Sequence, residues 1–165
     1  MSMYPDFVCY LYGATSDNVY QVEYLREMIE RLGLQERVFI RASVLQDKLF
    51  QTLVDADVLV VPRRLSVVTR AGFSQKFGDY LLSGVPVVST EVGEIVNFLQ
   101  SGREILFTPE GDAKAFAEAI YYLFSHPEKA RQIGMNGRKF AIEHFDYRAL
   151  GKRLENLLDA GCAEY

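Results

Sequence analysis

Tryptophan is absent from this chain of 165 residues, and cysteine and histidine occur only twice each. Each scarcity removes a class of chemistry. Cys9 lies in an apolar run and Cys162 near the C-terminus; their spacing suits neither a metal site nor a disulfide framework, so both are expected as free thiols in a reducing compartment. His126 precedes Pro127 and His144 sits in "EHFDY", where structural or solvated roles are expected, so a Ser-His-Asp hydrolase has no support. Neither G-x-G-x-x-G nor G-x-x-x-x-G-K-[ST] occurs, which argues against classical dinucleotide binding and P-loop phosphoryl transfer. No apolar run approaches the roughly 20 residues of a membrane-spanning helix, and no basic leader precedes one. A soluble, cytoplasmic chain is expected. Basic residues are also not in excess: 18 Lys and Arg against 22 Asp and Glu give a net charge of −4. A general nucleic-acid binder is thereby disfavoured, although a local basic cluster can still hold a small anion.

What is present is a hydrophobic content of 49%, enough for one domain with a real core, and an alternating pattern. "FVCYLY" (7–12) reads as a strand ending at Gly13. Ser16 or Asp17 is expected to cap a helix whose buried stripe is Val19, Val22, Leu25, Met28, Ile29 and Leu32, with Gly33 as its stop. "RVFIRA" (37–42) is a second strand, 45–56 a helix and "DVLVVP" (57–62) a third strand. A loop through about residue 73, a helix over 74–83, the strand 85–89, a helix over about 94–101 and the strand 104–108 follow. Residues 112–126 and 127–159 are then helical without an intervening strand, Asp112 capping the first and His126-Pro127 ending it. The expected fold is α/β: a Rossmann-like open parallel sheet of about five strands, helices on both faces and a helical C-terminal wrap.

In such a sheet, ligands bind beyond the carboxyl ends of the strands. Two of these ends are chemically distinctive. The loop 63–76 carries Arg63, Arg64, Arg70 and Lys76, with Ser66, Thr69 and Ser74 as hydroxyl donors, a composition suited to a phosphate or diphosphate but equally ordinary for a solvated loop. "STEVGE" (89–94) follows a strand and opens a helix, where Gly93 lets main-chain N–H groups approach an anion. Asp79, three residues beyond Lys76 on one helix face, can accept two hydrogen bonds from neighbouring hydroxyls or simply pair with Lys76.

Taken in order, Lys76-x-x-Asp79-Tyr80-Leu81-x-x-Gly84-Val85-Pro86-Val87-Val88-Ser89-Thr90-x-x-Gly93 resembles the donor-binding half of retaining GT-B glycosyltransferases, the large group that includes glycogen and sucrose-phosphate synthases. That family's run is E-G-F-P-x-K-x-x-E-Y-x-x-x-G-x-P-V-V-x-T-x-x-G-G. Downstream, "GDAKAFAEAI", the Gly134-x-x-Gly137-Arg138 run and "HFDY" resemble its later helices, so the likeness covers nearly the whole chain. It implies that Asp79 holds the ribose of a nucleotide diphosphate sugar. It also implies that Thr90, Glu91, Val92 and Gly93 line the diphosphate beside Lys76, with Arg63, Arg64 and Arg70 as candidate counter-charges.

The resemblance implies a hexosyltransferase of polysaccharide biosynthesis that moves a sugar to an acceptor with retention, needing no metal and no cofactor besides its donor substrate. No catalytic residue is assigned. Residues 1–165 are expected to form one nucleotide-sugar-binding domain, a C-terminal fragment lacking the first strand of that domain and the N-terminal acceptor domain, and inactive alone. Membrane attachment of the full-length protein at a cytoplasmic surface is left open. Three positions depart from the pattern: Ala71 stands where the family has the first Glu of its pair, Glu94 where it has a second Gly, and Asn97 where it has a Glu. These departures keep a second reading alive, a non-catalytic scaffold or regulatory domain of the same fold. A flavodoxin-like or response-regulator module would need an acidic cluster after the first strand, and "YGATSD" supplies only Asp17.

Overall fold

The computed structural model describes residues 7–162, which divide into two compact units, one ending at Thr52 and the other starting at Leu53. The first contains β1 (Cys9–Ala14), a 3-10 turn (Ser16–Asn18), α1 (Val19–Arg31) and β2 (Val38–Ala42); α2 (Gln46–Val54) runs across the boundary. β1 and β2 pair in parallel, from Cys9 opposite Val38 to Ala14 opposite Ala42. The expected end of the strand at Gly13 is a bulge instead: Gly13 takes φ +119°, the register slips by one residue, and the strand resumes at Ala14. The side-chain cap expected for α1 belongs instead to the 3-10 turn before it, at Thr15, and α1 itself follows Asn18 without one. Thr15 Oγ1 accepts from Asp17 N–H while Asn18 Oδ1 accepts from Thr15 N–H, a reciprocal box that satisfies two orphan donors. On α1 the half-buried residues are Val22, Leu25, Met28 and Ile29; Val19 and Leu32 at its two ends are exposed. Gly33 terminates the helix at φ +65°, as expected. Cys9 is a free thiol, pushed above its usual pKa by burial; the Cys162 side chain lies outside the described residues.

The second unit is a βα layer with a helical flank. β3 (Leu59–Val61), β4 (Val87–Thr90) and β5 (Leu106–Thr108) form a parallel sheet in the order β3-β4-β5. Every residue of the central β4 is buried, and its sequence, VVST, accordingly shows no alternation with charged residues. Between β3 and β4 lie α3 (Val67–Ala71) and α4 (Lys76–Ser83); after β5 come α5 (Ala113–Ser125), α6 (Pro127–Phe145) and α7 (Tyr147–Cys162). Asp112 Oδ1 caps α5 by accepting from Ala115 N–H at 2.9 Å, and Pro127 occupies the first turn of α6, as the sequence implies. The five expected strands are present, all in parallel ladders and flanked by helices, but they are hydrogen-bonded as a pair and a triplet.

Two expected elements differ. The loop after β3 contains the short helix α3, and the helix expected over 94–101 is only a 3-10 turn, Glu94–Asn97. The buried carboxylate of Glu104 explains the second difference. It accepts from Gln100 N–H at 3.0 Å and pairs with Arg103, so the chain is turned toward β5 before a second helical turn can form.

One cluster of the core joins Val88, Leu123 and Ile133, with Val58, Leu106, Phe116, Ala119, Ile120 and Ala130 packed against them. α6 packs against α4, and two glycines permit the approach. A Cβ on Gly134 would overlap the Gly84 carbonyl oxygen, and one on Gly137 would stand 2.8 Å from Leu81 Cδ2 and 2.9 Å from the Glu104 carbonyl oxygen. The Gly-x-x-Gly run is therefore a packing device. Gly134→Ala is expected to cost about 2–3 kcal/mol by overpacking against main chain that cannot yield. Gly78→Ala on α4, where nothing lies within 4 Å of the new Cβ, is expected to gain up to about 1 kcal/mol from helix propensity. Urea denaturation of the two variants checks both signs.

Candidate functional site

The carboxyl ends of β3 and β4 are joined by one side chain. Thr90 Oγ1 accepts from Arg63 N–H at 2.8 Å and donates to the Arg63 carbonyl at 2.7 Å. Beside it, Ser89 Oγ lies 3.2 Å from the Val61 carbonyl and 3.0 Å from that of Thr90. These buried hydroxyls extend the β3–β4 ladder past its last main-chain pairing, so the chain leaves β3 at a set position. The Thr90 hydroxyl is thereby committed to main-chain contacts.

From that anchored point Arg63 reaches toward the turn after β4. Its Nη1 is buried and has no hydrogen-bond partner among the described residues. A Cβ built on Gly93 would stand 3.3 Å from this atom, 2.6 Å from the Thr69 carbonyl oxygen and 2.9 Å from that of Gly72. Gly93 adopts φ +86° and ψ −174°, a region open only to glycine. Two constraints, backbone angle and space, thus require glycine at this position. The turn is pinned on either side by Val92 and Ile95, each 1% exposed, while Glu91 and Glu94 face outward. Glu91 N–H donates to the Thr108 carbonyl and Val92 N–H to that of Thr90, both at 2.9 Å. The N–H groups of Gly93 and Glu94 are taken up by no hydrogen bond among the described residues. An unpartnered guanidinium nitrogen and two free main-chain donors therefore meet at one glycine.

α3 forms the opposite wall. Ser66 and Thr69 cap it reciprocally: Thr69 N–H donates to Ser66 Oγ at 3.1 Å and Ser66 N–H to Thr69 Oγ1 at 2.7 Å, while Thr69 Oγ1 also donates to the Arg64 carbonyl at 2.7 Å. Two of the three loop hydroxyls that the sequence offered as ligand donors, those of Ser66 and Thr69, are thus spent on holding the loop. Leu65 N–H is tied to Glu110 Oε1 at 3.4 Å. Arg64 and Arg70 are exposed and make no ion pair with a described residue.

On α4, Phe77 and Leu81 are buried at 0% and 1% exposure, which turns Lys76 and Asp79 outward on the other face. The i, i+3 ion pair that spacing allowed between them does not form, so the Asp79 carboxylate is open to solvent. Tyr80 is pushed above its usual pKa by burial and then by the Asp79 charge. An aromatic knot missed at the sequence level fixes these parts together. Phe73 contacts Phe77, Phe98 and Phe145 at centroid distances of 6.3, 6.3 and 5.4 Å, joining the start of α4, the end of the 3-10 turn and the end of α6. The aromatic spacing was visible in sequence; that three distant segments share one ring was not.

Among the described residues, no cluster of three or more His, Cys, Asp or Glu has a metal-binding arrangement. No helix of the described residues is long and apolar enough to cross a membrane.

The sequence profile of the family described as "Glycosyl transferases group 1" matches residues 3–126. A GDP-mannose-dependent alpha-(1-6)-phosphatidylinositol monomannoside mannosyltransferase of Mycolicibacterium smegmatis is 27% identical over 139 residues, which is 83% of this chain and 36% of that protein. Among solved structures, HepE of Anabaena in complex with UDP superposes with a TM-score of 0.84 at 22% identity, covering 94% of this chain and 42% of that one. The C-terminal domain of a glycosyl transferase group 1 family protein (LpcC) from Francisella tularensis gives 0.72 at 16% identity, covering 87% of this chain and 72% of that one. The chain thus spans about a third of the length of the curated relative it matches, and the structural likenesses establish the fold. With the family profile extending from before β1 to the end of α5, and the solved structures sharing its fold, this chain belongs to the group 1 glycosyl transferases.

Proposed function

We propose that the chain is the donor-binding domain of a glycosyltransferase that takes a sugar from a nucleotide diphosphate sugar and passes it to an acceptor with retained anomeric configuration. The observation that carries this reading is the buried, partnerless Nη1 of Arg63 beside the free N–H groups of Gly93 and Glu94. A buried cationic nitrogen without a partner is costly, and a diphosphate oxygen is the complement in charge and hydrogen bonding. Two of the proteins compared above support the reading: the Mycolicibacterium enzyme is GDP-mannose-dependent, and HepE, of like fold, was solved with UDP and with UDP-glucose.

In this reading the bond from the anomeric carbon to the diphosphate oxygen breaks and negative charge develops on the leaving group. Arg63 and the Gly93 turn stabilise that charge, with Arg64, Arg70 and Lys76 supplying a positive field around it. Asp79, free on the α4 face, accepts hydrogen bonds from the ribose. Glu91 lies on the solvent side of the turn, while Val92 acts by anchoring it. Thr90 acts at one remove, by fixing the Arg63 main chain. The acceptor-binding part, the first strand of the domain and any transfer of the acceptor proton belong, in this proposal, to the remainder of a longer polypeptide. A scaffold of the same fold is the second reading, favoured by Ala71, and it predicts a chain that binds no nucleotide.

Ligand-observed NMR, which registers millimolar affinities, separates the two. UDP, GDP and ADP are titrated into the chain; at least one is expected to bind, with affinity reduced at least about tenfold in Arg63→Met through loss of a charged hydrogen bond, and reduced again in Asp79→Ala. Absence of binding by all three nucleotides overturns the reading. Thr90→Val separates placement from contact. It is expected to lower stability by about 1–2 kcal/mol, through the main-chain groups of Arg63 left unsatisfied, and to weaken nucleotide binding less than Arg63→Met does. Urea denaturation and the same titration read these two effects.

A further inference from the structure

Glu94 is hard to reconcile with an anion site if diphosphate is the whole ligand. It puts a carboxylate on the turn whose N–H groups and neighbouring Arg63 call for negative charge. Its placement is nonetheless well defined. Val92 and Ile95 anchor the turn in the core, and Asn97 Nδ2 donates to Glu94 Oε2 at 3.1 Å, bracing the side chain. That leaves Oε1, the second Nδ2 hydrogen and Oδ1 of Asn97 free at the surface, a set with two acceptors and one donor. Such a set is poor for phosphate and suited to hydroxyl groups, each of which can both donate and accept. Across from it the segment 69–72 approaches Gly93 to within 2.6–2.9 Å of its Cβ position, and Ala71 there offers no polar side-chain group. The Glu94–Asn97 pair is thus the polar element of the turn that the phosphate chemistry leaves unused.

We propose that Glu94, braced by Asn97, recognises the hydroxyl groups of the donor's hexose, and so sets the preference for nucleotide sugar over free nucleotide. This rests on the donor-binding reading above. The geometry divides the turn by charge: Arg63 and the N–H groups of Gly93 and Glu94 take the diphosphate, and the carboxylate one residue further takes the neutral, hydroxyl-rich group attached to it.

The test is a comparison of affinities for UDP against UDP-glucose and GDP against GDP-mannose, on the whole chain, in the parent protein and in Glu94→Gln, Glu94→Ala and Asn97→Ala. The parent is expected to bind at least one nucleotide sugar more tightly than its nucleotide. Glu94→Gln and Glu94→Ala are expected to erase that preference by at least about tenfold, the loss of a hydrogen bond to a charged group. Both variants should hold the free nucleotide as tightly as the parent or more tightly, and Asn97→Ala should fall between. Circular dichroism and melting curves identify a variant that has failed to fold, in which case the other Glu94 variant carries the comparison. If the variants lower both affinities by the same factor, or if the parent shows no preference for the sugar-bearing ligand, the inference is overturned while nucleotide binding stands. Failure of the parent to bind any of the four ligands overturns both.

Discussion

The Thr90 hydroxyl accepts from the Arg63 N–H and donates to the Arg63 carbonyl, and in doing so it substitutes for a rung of ladder beyond the last main-chain pair of β3 and β4. Everything at the candidate site is measured from that clamp. It sets where the loop leaves the sheet, hence where the guanidinium of Arg63 lies, and Gly93 is glycine because that guanidinium and the carbonyls of Thr69 and Gly72 fill the space a side chain would need. The second wall is held with comparable economy. Ser66 and Thr69 lock α3 through reciprocal capping, and Phe73 joins the segment that follows it to α4, the 3-10 turn and α6.

The charges around the turn are mixed, and the mixture follows from position. The cationic nitrogen lies inside, between α3 and Gly93, whereas the carboxylates of Glu91 and Glu94 lie outside, on residues alternating with the buried Val92 and Ile95. In the low-dielectric interior an unpartnered cation attracts an anion strongly, while solvated carboxylates repel it only weakly. Local burial thereby outweighs the net acidity of the chain.

Much of this was legible in the sequence because it depends on periodicity and on local chemistry. The strand expected over 85–89 is met by β4 (Val87–Thr90), whose residues are all buried, Asp112 is a cap, Pro127 begins a helix and Gly33 ends one. The family resemblance lay in an ordered run from Lys76 to Gly93, which the tertiary structure gathers along α4, β4 and the following turn. Where the local reading failed, a long-range or reciprocal contact had intervened. The helix expected over 94–101 stops at Asn97 because Glu104 captures the Gln100 N–H, the loop after β3 gains a helix because Ser66 and Thr69 satisfy each other's main chain, and the strand expected to end at Gly13 continues through a bulge.

The sequence by itself determined the class of fold, the family and the small set of residues that the candidate site draws on, since strand and helix periods, capping residues and glycine positions are properties of neighbours along the chain. Tertiary structure alone decided which of those residues keep a free polar group. Lys76 and Asp79 were spaced for an ion pair that does not form, and Thr90 was eligible to touch a ligand but is committed to Arg63. Among four basic candidates, only Arg63 places a nitrogen in the interior without a partner. The physical reason is the same in each case: a side chain's chemistry is set by its type, but whether it is free to act depends on which distant main-chain groups reach it first.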